Sequence, residues 1–274
     1  MIPLDLLVLI GLATIPSGML CGLSSVFIYR LRLTTLGFSV AHGALAGAAL
    51  SLYLQLDPLP LSLLFAFLTA LVLGPIAEAL RVPIDLVSMV IFSLNTALAL
   101  LFVYLTPGTA LTAQVVSSIL WGSILAVTPL YLIILILLTV IYMLYYYTFK
   151  PKLLAILFDR RLAEADGINT KYYIYTVIFL TGATIVLLLR LVGGFLVFTL
   201  LYNLAVTVMQ IANHIRKMLI LSPLLGVITI YLGLTISFYL DLPVGVCIVL
   251  ASLMLLMATL GYKKLISKKV LGIL

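Results

Sequence analysis

The chain has 274 residues, 65% of them hydrophobic and only 8% charged, with a net charge of +7 and a mean hydropathy of +1.37. Soluble domains carry about 25% charged residues, so this composition excludes a water-soluble globule and points to a core built in lipid. In a soluble chain the positive balance would suggest nucleic acid; here basic residues mark cytoplasmic loops, and no nucleic-acid partner is expected.

Apolar runs long enough to cross about 30 Å of hydrocarbon recur from end to end. They predict spans at 5–29, 36–55, 59–80, 86–105, 117–148, 172–190, 192–212, 219–239 and 243–262. The expected fold is therefore all-α: a polytopic transmembrane helical bundle of about nine spans, forming one domain over residues 1–274. The opening MIPLDLLVLI has no basic residue before its apolar stretch, so it is expected to stay as the first helix. Breakers separate the runs at Asp57-Pro58, Pro83, Pro107-Gly108, Pro151, Gly193-Gly194, Pro223 and Pro243. Cys21 and Cys247 lie inside apolar runs and are expected to be free thiols.

The basic residues choose an orientation. With the N-terminus outside, the inner loops hold Arg30, Arg32, Arg81, Lys150, Lys152, Arg160, Arg161, Lys171, Arg216 and Lys217. The inner tail adds Lys263, Lys264, Lys268 and Lys269, leaving Arg190 alone outside. The prediction is N-out and C-in.

Polar residues deep in a span cost free energy and are candidates for function. His42 is placed near the midplane of the second span, Asn95 centrally in the fourth and Asn203 centrally in the seventh. Thr207 lies one turn from Asn203 on the same face. Each has two readings. A lone intramembrane histidine hydrogen-bonds a neighbouring helix or lines a pathway, where its neutral ring can ligate a metal. The two asparagines bridge helices or line the same pathway. His214, beside Arg216 and Lys217, reads as an interfacial residue. Enzyme signatures are missing: there is no HExxH, GxSxG or GxxxxGK[ST], so the chain is not expected to hydrolyse a nucleotide itself. The largest inner loop, about 149–171, contains FDRRLAEADGIN. Asp159 is suited to cap a short helix through Leu162, Ala163 and Ala165, and Gly167 to end it. That helix is either a plain surface element or a knob that docks into a partner.

Together with this loop, LWGSILAV (Leu120 to Val127), VGGFLVFTLL (Val192 to Leu201) and GLTISFYLDLPVG (Gly233 to Gly245) resemble the permease subunit of ABC transporters of the zinc/manganese/iron uptake type. The resemblance runs over nearly the whole chain. It implies that Asp159, Ala163 and Gly167 form the helix that seats in a separate ATPase dimer. It also implies a second copy of the permease, an extracytoplasmic metal-binding protein, and a divalent ion as cargo with His42 as its ligand; the chain needs no cofactor of its own. The pattern departs at four positions. The family's carboxylate one turn before His42 is Phe38, and the serine before it is Ala41. A proline is replaced by Leu204 and an acidic residue by Ser123. A lost carboxylate bears on the metal more than on transport, because hard divalent ions want oxygen ligands. A pathway lined by Phe38, Asn95 and Asn203 would instead suit a metal chelate or a small organic substrate. A structural membrane protein without transport is the alternative of another class.

Overall fold

The computed structural model describes residues 4–106, 127–192 and 194–271. Eleven helices follow one another among them: α1 (Leu4–Arg30), α2 (Leu36–Tyr53), α3 (Pro58–Leu80), α4 (Ile84–Leu105), α5 (Pro129–Thr148), α6 (Lys150–Phe158), α7 (Arg160–Ala165), α8 (Thr170–Val192), α9 (Gly194–Ile211), α10 (Ile215–Leu240) and α11 (Val244–Leu271). Eight are long and apolar enough to cross a membrane, and the Thr199–Ile211 part of α9 is a shorter apolar helix. No strand occurs among the described residues. Helices satisfy every backbone group internally, which hydrocarbon requires.

The turns explain where the spans stop. Asp57 caps α3, its carboxylate accepting from the Leu59 amide at 3.0 Å, with Pro58 in the first turn where no amide is missed. Four turns close on non-glycine residues with positive φ: Arg32, Gln55, Arg81 and Asp241. The predicted fifth run, 117–148, is interrupted. Thr128 has extended backbone and accepts from the Tyr131 amide, so the described helix starts at Pro129. The N-terminal part of that run lies outside the described residues. Pro223 sits inside α10 and not in a turn. A neighbouring helix abuts it, since a Cβ on Gly22 of α1 would lie 2.5 Å from the Pro223 Cα. Buried prolines in spans are tolerated in such settings.

Packing rests on small residues. A Cβ at Gly18 would come within 2.4 Å of the Val227 backbone, and one at Gly22 within 2.1 Å of the Ser222 carbonyl oxygen. α1 and α10 therefore cross backbone to backbone, and Ser25 and Ser222 share a 2.9 Å hydrogen bond at the crossing. α2 is enclosed between α3 and α4 and buries residues around most of its circumference, from Leu36 to Ser51. α8 threads the middle, touching α1, α2, α3, α5, α7, α9 and α11. The fully buried Tyr142 of α5 stacks on Phe27 of α1 and shares a 3.0 Å hydrogen bond with Thr181 of α8.

Basic residues gather at one end, opposite the turns that hold Asp57 and Asp241. Arg81, Arg160 and Lys171 line one cleft; Arg30, His214, Arg216 and Lys217 line another that includes Phe158, two residues from Arg160. Lys263 reaches Gln210. This is the end assigned to the cytoplasm. Single cysteines at Leu56 and Lys217 are expected to react from opposite sides of sealed vesicles. The native thiols, both buried, give a quiet background. Labelling of both positions from one side would overturn the orientation.

Candidate functional site

Two regions carry the polar chemistry: a cluster around His42 inside the bundle, and the α6–α8 elbow at the basic end.

His42 is the seventh residue of α2, within one turn of the helix's own midpoint. Its residue is 8% exposed. Nδ1 lies 3.0 Å from the Phe38 carbonyl, and the ring meets Phe92 of α4 edge-on at 4.4 Å. A neutral ring that donates from Nδ1 carries its lone pair at Nε2, the form in which imidazole ligates metals. Phe38, where the resemblance expects a carboxylate, stacks on Tyr202 of α9 (6.4 Å, 26°) and meets Phe92 edge-on (6.3 Å). Among the described residues, no three His, Cys, Asp or Glu side chains come together as a metal site. Ala41 and Leu204, two of the departures, are both buried packing residues, at 7% and 1% exposure. Ser123 and Leu120 to Ala126 lie outside the described residues.

Asn95 donates from Nδ2 to Thr69 of α3 (3.1 Å) and to the Ser39 carbonyl of α2 (3.3 Å). Gly43 makes room for this, because a Cβ there would stand 2.5 Å from the Thr69 hydroxyl and 3.2 Å from the amide nitrogen. Asn203 donates to Ser252 of α11 at 2.7 Å. Thr207 is buried and returns its hydroxyl to the Asn203 carbonyl at 2.7 Å. Both asparagines therefore bridge helices, whatever else they line. The GLTISFYLDLPVG segment builds the α10–α11 turn. Gly233 lies against the Ile248 backbone, Ser237 donates to the Leu242 carbonyl (2.6 Å), and Asp241 takes the left-handed conformation that reverses the chain.

At the elbow, Asp159 caps α7, accepting from the amides of Arg161 (2.8 Å) and Leu162 (3.2 Å). Gly167, at φ +80°, ends it, and the Ile168 amide returns to the Ala163 carbonyl at 3.0 Å. Ala163 itself is 1% exposed and joins the core, so the alanine expected to face a partner faces inward. Leu162 of α7 is 58% exposed, and Phe158, the last residue of α6, is 75% exposed. α6 was not anticipated. It starts straight after Phe149 with Pro151 in its first turn, and buries Leu153, Ile156 and Leu157.

Sequence reasoning missed two ties. Asp85 at the start of α4 accepts from the Thr34 hydroxyl (2.8 Å), the Thr35 amide (3.0 Å) and the Thr35 hydroxyl (2.9 Å), fixing the α1–α2 turn to α4. Glu164 accepts from Thr170 (2.5 Å) and Arg160 (2.8 Å), and these donors hold its carboxyl below the usual carboxylate range, Thr170 most. It is ionised throughout the neutral range. The only signals in the sequence were the Thr-Thr pair before α2 and the acid four residues after Arg160.

The family model of the ABC 3 transport family matches residues 4–263. The chain belongs to this family. It is 30% identical over 243 residues to the manganese import system permease protein ScaB of Streptococcus parasanguinis, covering 88% of this chain and 85% of that protein. It is 25% identical over 245 residues to the high-affinity zinc uptake system membrane protein ZnuB of Buchnera aphidicola subsp. Acyrthosiphon pisum, covering 89% and 90%. Among solved structures it matches PsaBC from Streptococcus pneumoniae in complex with Fab, with a TM-score of 0.76, 26% identity and coverage of 93% and 90%. The family member is thus a multi-pass helical membrane protein.

Because no heavy atom lies within 4 Å of a Cβ built at Gly167, a substitution there acts through φ alone. Gly167→Val is expected to destabilise the end of α7 by about 1–2 kcal/mol, and Gly167→Asn by less, since asparagine visits the left-handed region. Limited trypsin cleavage at Arg160 and Arg161 should therefore rise strongly for valine and slightly for asparagine. Equal cleavage in all three proteins would show that the conformation of Gly167 does not hold the helix.

Proposed function

We propose that this chain is the membrane-spanning permease subunit of an ATP-driven importer that carries a divalent metal ion, zinc, manganese or iron, into the cell. It works with a separate ATPase dimer, an extracytoplasmic metal-binding protein and a second copy of itself. The observation that carries this reading is α7. A capped six-residue helix at the basic end exposes Leu162, and the last residue of α6 just before it exposes Phe158, while Ala163 on the inner side is buried. Large apolar side chains exposed together beside a membrane mark a docking face, and a chain without a nucleotide-binding loop needs such a face to draw on ATP. The manganese and zinc names of its relatives support the cargo.

His42 is the ligand this reading assigns to the ion, through Nε2. In proteoliposomes holding the permease, its ATPase and the binding protein, His42→Ala is expected to cut metal uptake by at least about tenfold, which is roughly 1.4 kcal/mol, without loss of folded protein. A stable His42→Gln protein with normal uptake would overturn the ligand role, since an amide can replace a helix–helix hydrogen bond but not an imidazole ligand.

The ring stack of Phe38 on Tyr202 favours a second reading, in which the cargo is a metal chelate or a small organic molecule and aromatic faces take the place of a carboxylate. Phe38→Asp separates the two. It places an oxygen one turn from the imidazole and should shift preference toward manganese if free ions pass. If a chelate passes, the substitution should abolish uptake without changing ion preference.

A further inference from the structure

A helix that receives force from an ATPase moves the pathway only through the residues that tie it to the spans. α7 packs against α6 and the start of α8. Its tie to α8 is Glu164, which accepts from Thr170, the first residue of α8. The next residue, Lys171, pairs with Glu78 in the last turn of α3. One turn further, Tyr175 donates to the other oxygen of Glu78 at 2.5 Å and lies 3.2 Å from the Gly74 carbonyl. The tyrosine ring rests where a side chain at Gly74 would stand, 2.7 Å from its Cε1. α3 in turn lies along α2, where a Cβ on Gly47 would be 2.2 Å from the Leu61 carbonyl. α2 carries His42. The chain of contacts from α7 to the pathway helix is unbroken.

We propose that Glu78, held by Lys171 and Tyr175, is the latch that transmits movement of α7 to α3, and hence to α2; it is a positioning residue, not a ligand. This inference rests on the ATP-driven reading above. Two features suit Glu78 to the role. The Glu78–Lys171 pair is open to water, with side-chain exposures of 45% and 57%, in a cleft of about 400 Å3. Exposed ion pairs add little to stability, so the bond breaks and re-forms at little cost. Arg160 of α7 lines the same cleft. Glu78 therefore shares one cleft with two cations. Lys171 of α8 is the one it holds here. Arg160 of α7 here donates to Glu164 and would become the alternative partner on leaving it. An element with two alternative partners is what a switch requires.

The test measures metal uptake per ATP hydrolysed in proteoliposomes of the assembled complex, for the wild type, Glu78→Gln, Tyr175→Phe, and the exchanged pair Glu78→Lys with Lys171→Glu. Glu78→Gln is expected to lower the ratio about tenfold, within the range of measured couplings, with ATP hydrolysis and melting temperature close to wild type. Tyr175→Phe should lower it less, and the exchanged pair should regain most of it. A ratio unchanged in both single variants would overturn the latch and route the force through α6 instead. An exchanged pair that still hydrolyses ATP but stays as uncoupled as Glu78→Gln would overturn the role of the ion pair. A wild-type complex with no ATP-dependent uptake would overturn both the importer reading and the latch.

Discussion

Hydrocarbon does not drive apolar helices together, because lipid tails are as apolar as leucine. Association must come from close van der Waals contact and from hydrogen bonds between helices. The rest of this fold depends on that constraint. At the α1–α10 crossing, Gly18, Gly22 and Gly226 remove every atom that would separate the two backbones. At the α2–α3 and α2–α4 contacts, Gly43, Gly47 and runs of alanine do the same, and Asn95 then bonds across the gap they leave. The two asparagines that look suited to chemistry are thus first of all fasteners between helices.

The spans, the orientation and the short capped helix at Asp159–Gly167 were legible in the sequence, since each follows from local rules: length against bilayer thickness, basic loops, and caps. Other features needed the third dimension. Thr128 and Pro129 divide an apolar run that hydropathy alone treats as continuous. Pro223 reads as a breaker because its setting against Gly22 of α1 is invisible along the chain. Ala163 turns inward because α6, a helix with no strong signal of its own, fixes the rotation of α7. Glu78, Lys171 and Tyr175 lie about a hundred positions apart on α3 and α8, and nothing local pairs them.

Around His42 the sequence singled out Phe38 and Asn95, and the structure places both in its neighbourhood on α2 and α4. The imidazole is placed by a backbone carbonyl and an aromatic edge, without a carboxylate partner. Carboxylate partners raise the basicity of a ligating histidine. If His42 takes the ion as proposed, its ring is set for that by the Phe38 carbonyl and the Phe92 edge.

The left-handed residues in the turns have a consequence for how the protein is made. Arg32, Gln55, Arg81 and Asp241 each pay about 1–2 kcal/mol to adopt a conformation that glycine takes freely, and each does so at a tight reversal between consecutive spans. All four side chains are charged or amide-bearing and are exposed. A reversal this short holds two successive spans side by side as a helical hairpin. Three of the four reversals join α1 to α4 in series, and α8, which touches seven other helices, can settle only after those earlier partners are in place. The α1–α10 crossing closes later still, because α10 follows α8 in the chain.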